Sequence, residues 1–500
     1  MKKTILLILD GWGVGENSSA NAIFQAHPPY YQELLKKFPN TVLHAREELV
    51  GLPKGCLSGS EVGHLTLGAG RIVWQNVAKI DKTIADLTFF RNPVLQDTKD
   101  HLMAYGGKLH LVGLLSNGGI HSHINHLTAL INWAKKEKFP SVSLHLFLDG
   151  RDMPPMSAID LIKKIEPGLT SEIKISTMTG RSLAMDRGEK WERTKMVFDY
   201  LTQPQTITKQ KPQDFLNNQY QENIGDEFVA PTNFDDKVIS SNDAAVFFNF
   251  RADRMRQMVR LFLKTAPSAI QQTVTVPNNL FLSSLTEYDS EYTPVKVMYP
   301  PEIPVNTLGE WISQQGLKQF RITETEKYAH VTYFFNGGRE NVFNNESRMV
   351  IPSLGLTNYT TNPEMSLAEI VKSLSRAIEL ESYELIVTNF ANGDMVGHSG
   401  DLTAGIKAVL EIDKALAQII PFAATHGYTV LITADHGNIE LMNDGQQPHT
   451  AHTFNHVPLI ITDPKIKLAS GNCLHQVSPT ILKIMNLPQP KEMTSLPLIK

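Results

Sequence analysis

Short apolar runs recur along this 500-residue chain, each stopped by polar or glycine-containing residues. Thr4–Leu9, Leu109–Leu115, Ser143–Leu148, Ala244–Phe248, Leu385–Asn389 and Thr429–Thr433 have the length of strands and little alternation, the pattern of strands buried on both faces. Helical spacing follows several of them, as at Ile120–Lys138 and Leu402–Ile420. Strands alternating with helices predict an α/β fold with a largely parallel sheet. Such sheets bind ligands at the carboxyl ends of their strands, so the polar clusters behind the runs are where chemistry is expected. The proline-rich segment Tyr299-Pro300-Pro301-Glu302-Ile303-Pro304 breaks the pattern before a new helix at Thr307–Gln315 and predicts a linker. An earlier boundary near Gln75 leaves little trace in composition. Gln203–Gln221 is polar and reads as a surface excursion.

Composition changes this picture only by exclusion. With 42% hydrophobic and 20% charged residues the chain is expected to fold, and its length allows two or three domains. Lys and Arg total 47 against 51 Asp and Glu, a net charge of −4, which argues against a protein that coats nucleic acid. Cys56 and Cys473 are too few for a thiolate zinc cluster, so any metal is expected on His, Asp or Glu. Asp10 stops the first apolar run well short of a signal-peptide core or a membrane span, and a cytoplasmic protein without a membrane partner is expected.

Four polar clusters could share a metal site: Asp10 behind the first strand; Asp394 and His398, four residues apart; the adjacent pair Asp435-His436 behind another strand; and His452. Mixed carboxylate and imidazole ligands suit Mn²⁺, Zn²⁺, Co²⁺ or Fe²⁺. His121 and His123 could be ligands or could bind an anion. The small-residue loop Gly55-Cys56-Leu57-Ser58-Gly59-Ser60 enters a predicted helix, where a serine would sit among backbone N–H donors in a setting suited to phosphate. Ser58 or Ser60 could equally be an N-cap. Eight of the 15 arginines fall between Arg151 and Arg260. Their planar forks suit a small, multiply charged anion.

Taken together these motifs resemble cofactor-independent phosphoglycerate mutase, the manganese-dependent form within the alkaline phosphatase superfamily. The matching segments include Leu9-Asp10-Gly11-Trp12-Gly13, Ser60-Glu61-Val62-Gly63-His64, Gly119-Ile120-His121-Ser122-His123, Leu148-Asp149-Gly150-Arg151-Asp152, Phe250-Arg251-Ala252-Asp253-Arg254 and Glu326-Lys327-Tyr328. Asp394 through His398, Ala434-Asp435-His436-Gly437-Asn438 and Thr450-Ala451-His452-Thr453 follow in the family's order and extend the likeness over almost the whole chain.

The resemblance implies two α/β domains. A phosphatase-like, metal-binding domain of residues 1–75 and 305–500 would be split by an inserted transferase domain of residues 76–304 that binds substrate. It implies conversion between 2-phosphoglycerate and 3-phosphoglycerate through a phosphoserine, with two Mn²⁺ per chain (Zn²⁺ or Co²⁺ as substitutes) and no 2,3-bisphosphoglycerate. Carried over, Ser60 is the nucleophile. Asp394, His398 and His452 hold one metal; Asp10, Asp435 and His436 hold the other, with Ser60 as a further ligand. His121, Arg151, Asp152, Arg181, Arg187, Arg251, Arg254 and Lys327 bind substrate, with Asp152 as proton carrier and Lys327 also counted among the catalytic residues. A monomer acting on this one small molecule is expected. The chain departs from the family at Leu57-Ser58-Gly59, where Met-Gly-Asn is usual, and at Asn117, where Asp is frequent. A metal-dependent phosphomonoesterase or a mutase for another phosphosugar is the alternative on the same core, and a non-catalytic binding protein is a third reading.

Overall fold

A computed structural model describes residues 2–469 and 472–500. The chain divides into two compact units, one made of Met1–Gln75 with Ile303–Lys500 and the other of Asn76–Glu302. In chain order, strands β1 (Lys3–Leu9) and β2 (Asn40–Leu43) belong to the first unit. Strands β3 (Leu109–Leu115), β4 (Val142–Leu148), β5 (Ile173–Gly180), β6 (Thr232–Asn233), β7 (Ala244–Phe247), β8 (Phe281–Thr286) and β9 (Lys296–Tyr299) belong to the second. Strands β10 (Gln319–Glu324), β11 (Glu346–Ile351), β12 (Leu385–Phe390), β13 (Tyr428–Thr433) and β14 (Val457–Ile461) complete the first.

The first unit's seven-stranded sheet has the order β11-β10-β12-β1-β13-β14-β2. The five strands from β11 to β13 are parallel, and β14 and β2 close one edge antiparallel. Strand β1 lies at the centre because its run Thr4–Leu9 is buried throughout and gains from cover on both faces. Since β10, β12, β1 and β13 run the same way, the segments leaving their carboxyl ends gather along one rim.

The second unit repeats the plan with the order β6-β5-β4-β3-β7-β8-β9, all parallel except β6. Its strands show how alternation serves a sheet covered on both sides. In β3, Leu109, Leu111 and Leu115 join one apolar cluster, whereas Val112 and Leu114 join the other. In β7, Ala244 and Val246 take the first side and Ala245 and Phe247 the second.

All six predicted strands form, with ends shifted by at most a residue or so. The helix predicted over Ile120–Lys138 starts later, at Ile124, because His123 caps it by accepting from the Asn125 N–H. The stretch read as a surface excursion contains the helix Pro212–Gln221, anchored by the buried Leu216. Strand β10 was not foreseen. Its sequence Gln-Phe-Arg-Ile-Thr-Glu looks exposed, yet every residue is buried, with Arg321 donating to Gln319 Oε1 at 2.5 Å and packed over the Phe335 ring. Among the described residues no helix is long and apolar enough to cross a membrane.

His110 and His145, without visible partners in the sequence, form a buried relay in the second unit. His110 Nε2 donates to Asp243 Oδ2 at 3.0 Å. Its Nδ1 therefore accepts from His145 Nε2 at 2.9 Å, and His145 Nδ1 accepts from the Thr177 hydroxyl at 3.0 Å. Burial holds both imidazoles below their ordinary pKa, so the chain is neutral apart from its terminal carboxylate. Asp243 also accepts from the Lys108 and Ser240 N–H groups, each at 2.7 Å. Asp243→Ala strands all these donors and is expected to lower stability by roughly 3 kcal/mol, read as a lower urea midpoint; an unchanged midpoint would count against the relay.

Candidate active site

Asp10, Asp394, Asp435 and His436 sit close behind the ends of parallel strands of the first unit. Asp10 follows β1; Asp394 lies in the helix Asn392–Gly397 behind β12; Asp435 and His436 follow β13; Lys327 lies just past β10. Ser60 opens the helix Ser60–Ala69, after Gly59 at the N-cap. Its hydroxyl donates to Asp10 Oδ1 at 3.1 Å, lies 2.9 Å from His436 Nε2, and receives a hydrogen bond from Lys327 Nζ at 2.7 Å. Lys327 Nζ also meets Asp10 Oδ1 at 2.8 Å and Asp394 Oδ2 at 2.7 Å. Ser58 is placed otherwise: its carbonyl accepts from His452 Nδ1 at 2.7 Å, and its buried hydroxyl has no hydrogen-bond partner among the described residues. Of the two serines, Ser60 is the one placed among the charged groups.

Charge and tautomer both fit a cation. Asp10, Asp394 and Asp435 are buried together with one ammonium, Lys327, and the site is net negative when the imidazoles are neutral. Burial, and then the Asp435 charge, push the Asp10 carboxyl up. Burial also opposes ionisation of Asp394, but Lys327 and the His398 and His452 hydrogen bonds hold it well below the carboxylate range. Burial disfavours charge on Lys327, and the neighbouring carboxylates overcome it, so the amine stays protonated.

His398 Nδ1 donates to the Thr450 carbonyl at 2.8 Å, and His452 Nδ1 to the Ser58 carbonyl. In the neutral rings this leaves lone pairs on both Nε2 atoms. The two atoms lie 3.3 Å apart, and each is 3.2 Å from Asp394 Oδ1. Lone pairs converging on a carboxylate, each ring oriented by a carbonyl on its far side, is the arrangement of a metal site.

Ligand atoms of Asp394, His398 and His452 lie within 4.8 Å of one another, as do those of Asp10, Asp394 and His436, and those of Asp10, His64 and Asp435. His64 was not singled out by spacing, and its hydrogen bonds commit both of its nitrogens. Nδ1 donates to the Ser60 carbonyl at 2.8 Å, so Nε2 accepts from Asn389 Nδ2 at 3.0 Å. That same amide donates to Asp10 Oδ2 at 2.6 Å, tying the serine's helix to the carboxylate behind β1.

In the second unit the anion-binding candidates follow β3, β4, β5 and β7. Arg181, buried, donates to Asp149 Oδ1 at 2.6 Å and to Asp152 Oδ2 at 2.5 Å. Asp149 also accepts from the Ser116 hydroxyl and from the backbone of Arg151 and Asp152, so it shapes the loop that presents them. Arg151, Arg181 and Arg254 line a cavity of about 350 Å³ with Ser182, Asp186 and Arg193. Arg187 and Arg251 meet Asp253 at 3.1 and 3.3 Å, and His121 Nδ1 lies 3.6 Å from the same carboxylate. Asp149 and Asp253 stand inside the Arg-bearing motifs, and that adjacency was the available signal for them. His123 takes no part and serves as a helix cap.

Comparison with known proteins places this geometry. The family model of the metalloenzyme superfamily matches residues 2–489. The 2,3-bisphosphoglycerate-independent phosphoglycerate mutase of Moorella thermoacetica is 44% identical over 505 residues, covering 99% of this chain and 98% of its own. That of Thermosynechococcus vestitus is 42% identical over 508 residues, covering 99% and 95%. The chain belongs to this mutase family within the metalloenzyme superfamily. Among solved structures, Leishmania mexicana phosphoglycerate mutase at low cobalt concentration superposes with a TM-score of 0.58 at 26% identity, covering 100% of this chain and 98% of that one. The chain is therefore a metal-dependent enzyme with a mutase's fold.

Burial, then Arg181, lowers the pKa of His121 from 6.5 to about 4. Between those values the unfolded chain binds a proton here that the folded chain does not, so this residue makes stability fall as pH drops through the window. The His121 ring resonances are expected to titrate near pH 4; a midpoint near 6.5 would contradict the placement. His398 is shifted upward, first by its hydrogen bond to Asp394. Protons would compete from a higher pH with a cation held there, and divalent-cation affinity measured calorimetrically is expected to fall steadily from pH 8 to pH 5.

Proposed function

We propose that this enzyme interconverts 2-phosphoglycerate and 3-phosphoglycerate through a phosphoserine on Ser60, without 2,3-bisphosphoglycerate. The observation that carries this reading is the Ser60 hydroxyl held between Lys327, Asp10 and His436 at 2.7–3.1 Å. A serine hydroxyl is a poor nucleophile unless its alkoxide is stabilised, and an ammonium at this distance does so.

Asp394, His398 and His452 would hold one divalent cation and Asp10, Asp435 and His436 the other, with Ser60 as a further ligand. Two Mn²⁺ are expected, with Zn²⁺ or Co²⁺ as substitutes. When bound, the cations supply charge neutralisation for the phosphoryl oxygens and lower the serine pKa.

The protein's own groups account for the rest. Ser60 gives its hydroxyl proton to the Asp10 carboxylate it already donates to, and its Oγ bonds to phosphorus as the phosphorus–oxygen bond to the glycerate breaks, with the Lys327 ammonium beside the serine oxygen. His121, Arg151, Arg181, Arg187, Arg251 and Arg254 hold the glycerate carboxylate and the substrate phosphate. Asp152, fixed by Arg181, gives a proton to the released glycerate oxygen; after the glycerate has turned it takes one from the other hydroxyl, whose oxygen bonds to phosphorus as the Ser60 Oγ–phosphorus bond breaks and Asp10 returns the serine proton. Retention of the glycerate separates a mutase from a phosphatase, and a second unit carrying this many guanidinium groups supports the mutase. Activity as a monomer in cytoplasmic glycolysis and gluconeogenesis belongs to the same proposal.

With Mn²⁺ and no bisphosphoglycerate, 3-phosphoglycerate is expected to yield 2-phosphoglycerate. Chelation should stop the reaction and Mn²⁺ should restore it. Ser60→Ala is expected to lower kcat by roughly 10⁴-fold or more, and full activity in that variant would rule out the nucleophile. Free phosphate as the main product would instead favour a phosphomonoesterase. Arg254→Ala is expected to raise the share of free phosphate, because a loosely held glycerate leaves before it can be rephosphorylated.

A further inference from the structure

Glu440 lies just past the Asp435-His436-Gly437-Asn438 turn and is buried, with 2% of its surface exposed. It forms no ion pair among the described residues. Four neutral donors converge on it instead. Its Oε2 accepts from the Gly13 N–H at 3.0 Å and the Asn438 N–H at 2.8 Å. Its Oε1 accepts from Asn455 Nδ2 at 3.0 Å and from the Thr453 hydroxyl. A carboxylate, with two oxygens and no proton, is the side chain that can receive four donors at once.

Those donors come from three ligand-bearing segments, two of them within the β13–β14 connection that also carries Glu440. Gly13 follows Asp10 on the loop behind β1, Asn438 follows His436 on the loop behind β13, and Thr453 adjoins His452. A fourth segment is reached through Asn438, whose side chain donates to Asp394 Oδ1 at 2.9 Å. The sequence makes room for the carboxylate. A Cβ on Gly13 would come within 2.2–2.4 Å of the Glu440 carboxyl atoms, and one on Gly437 within 2.4 Å of Glu440 Oε1 and Thr453 Oγ1.

We propose that Glu440 is a positioning residue for the metal centre, fixing the mutual placement of the loops that carry Asp10, Asp435, His436 and His452. The proposal rests on the reading of these residues as metal ligands. It deepens that reading by assigning their alignment to one buried carboxylate that touches neither metal nor substrate. Partners that orient ligands in this way typically change metal affinity by 10–100-fold when removed.

The test is Mn²⁺ binding to the full chain, followed by calorimetry and by the electron paramagnetic resonance of free Mn²⁺, with kcat and KM at saturating metal. Glu440→Ala is expected to weaken Mn²⁺ binding at least tenfold while KM for 3-phosphoglycerate stays within about twofold. Glu440→Gln, whose amide oxygen can serve the two backbone donors while its NH₂ faces Thr453 and a turned Asn455, is expected to recover most of that loss. Gly13→Ala keeps the Glu440 side chain but displaces its carboxylate, so it should reproduce the weakening. Combined with Glu440→Ala it should add nothing further, because both changes act through one contact.

Wild-type affinity in Glu440→Ala, a loss in Glu440→Gln equal to that in Glu440→Ala, or losses that add in the double variant would each overturn the proposal. If Glu440→Ala does not fold, Glu440→Gln and Gly13→Ala decide between the same outcomes. A wild-type chain that binds no Mn²⁺ would overturn the metal-site reading itself, a failure distinguishable from that of Glu440 because it precedes any variant.

Discussion

Three carboxylates, Asp10, Asp394 and Asp435, are packed side by side with little access to water. Like charges in such a medium repel strongly and cost desolvation energy besides. Much of the surrounding structure offsets that cost. Lys327 places its ammonium against two of them, Asn389 and Asn438 donate amide hydrogens to Asp10 and Asp394, and the Gly11 N–H reaches Asp435 at 3.3 Å. The remaining deficit of positive charge is one that a divalent cation would satisfy, and His398 and His452 are turned by backbone carbonyls so that their free nitrogens face the same point.

The second unit solves the opposite problem with the same architecture. Its arginines, gathered behind parallel strands, would repel one another without Asp149, Asp152 and Asp253 between them. Those acids leave the guanidinium forks arranged but only partly neutralised, the state suited to capturing an anion carrying both a carboxylate and a phosphate. The buried relay through His110, His145 and Asp243 lies within the same sheet and shows that a polar cross-strand contact is tolerated there once every donor has an acceptor.

Much of the fold was legible because buried parallel strands must be apolar along their length: the runs ending at Leu9, Leu115 and Leu148 declare themselves. Strand β10 did not, because burial of Gln319, Arg321 and Glu324 depends on partners such as the Phe335 ring and the Ser353 hydroxyl that are remote from the strand in sequence. The candidate site was legible where chemistry demands particular residue types behind strands. It was illegible at His64, Asn389 and Glu440, which carry no spacing signature of their own.

The sequence by itself determined the alternation of strands and helices, the reliance on Asp and His for metal, and the concentration of arginines in one stretch, because hydrophobic period and side-chain chemistry are local properties. The tertiary structure decided which serine faces the carboxylates, which imidazole nitrogen is free, and which acids hold the arginines apart. Those choices depend on where hydrogen-bond donors from distant segments arrive, and strand order rather than chain order brings them together.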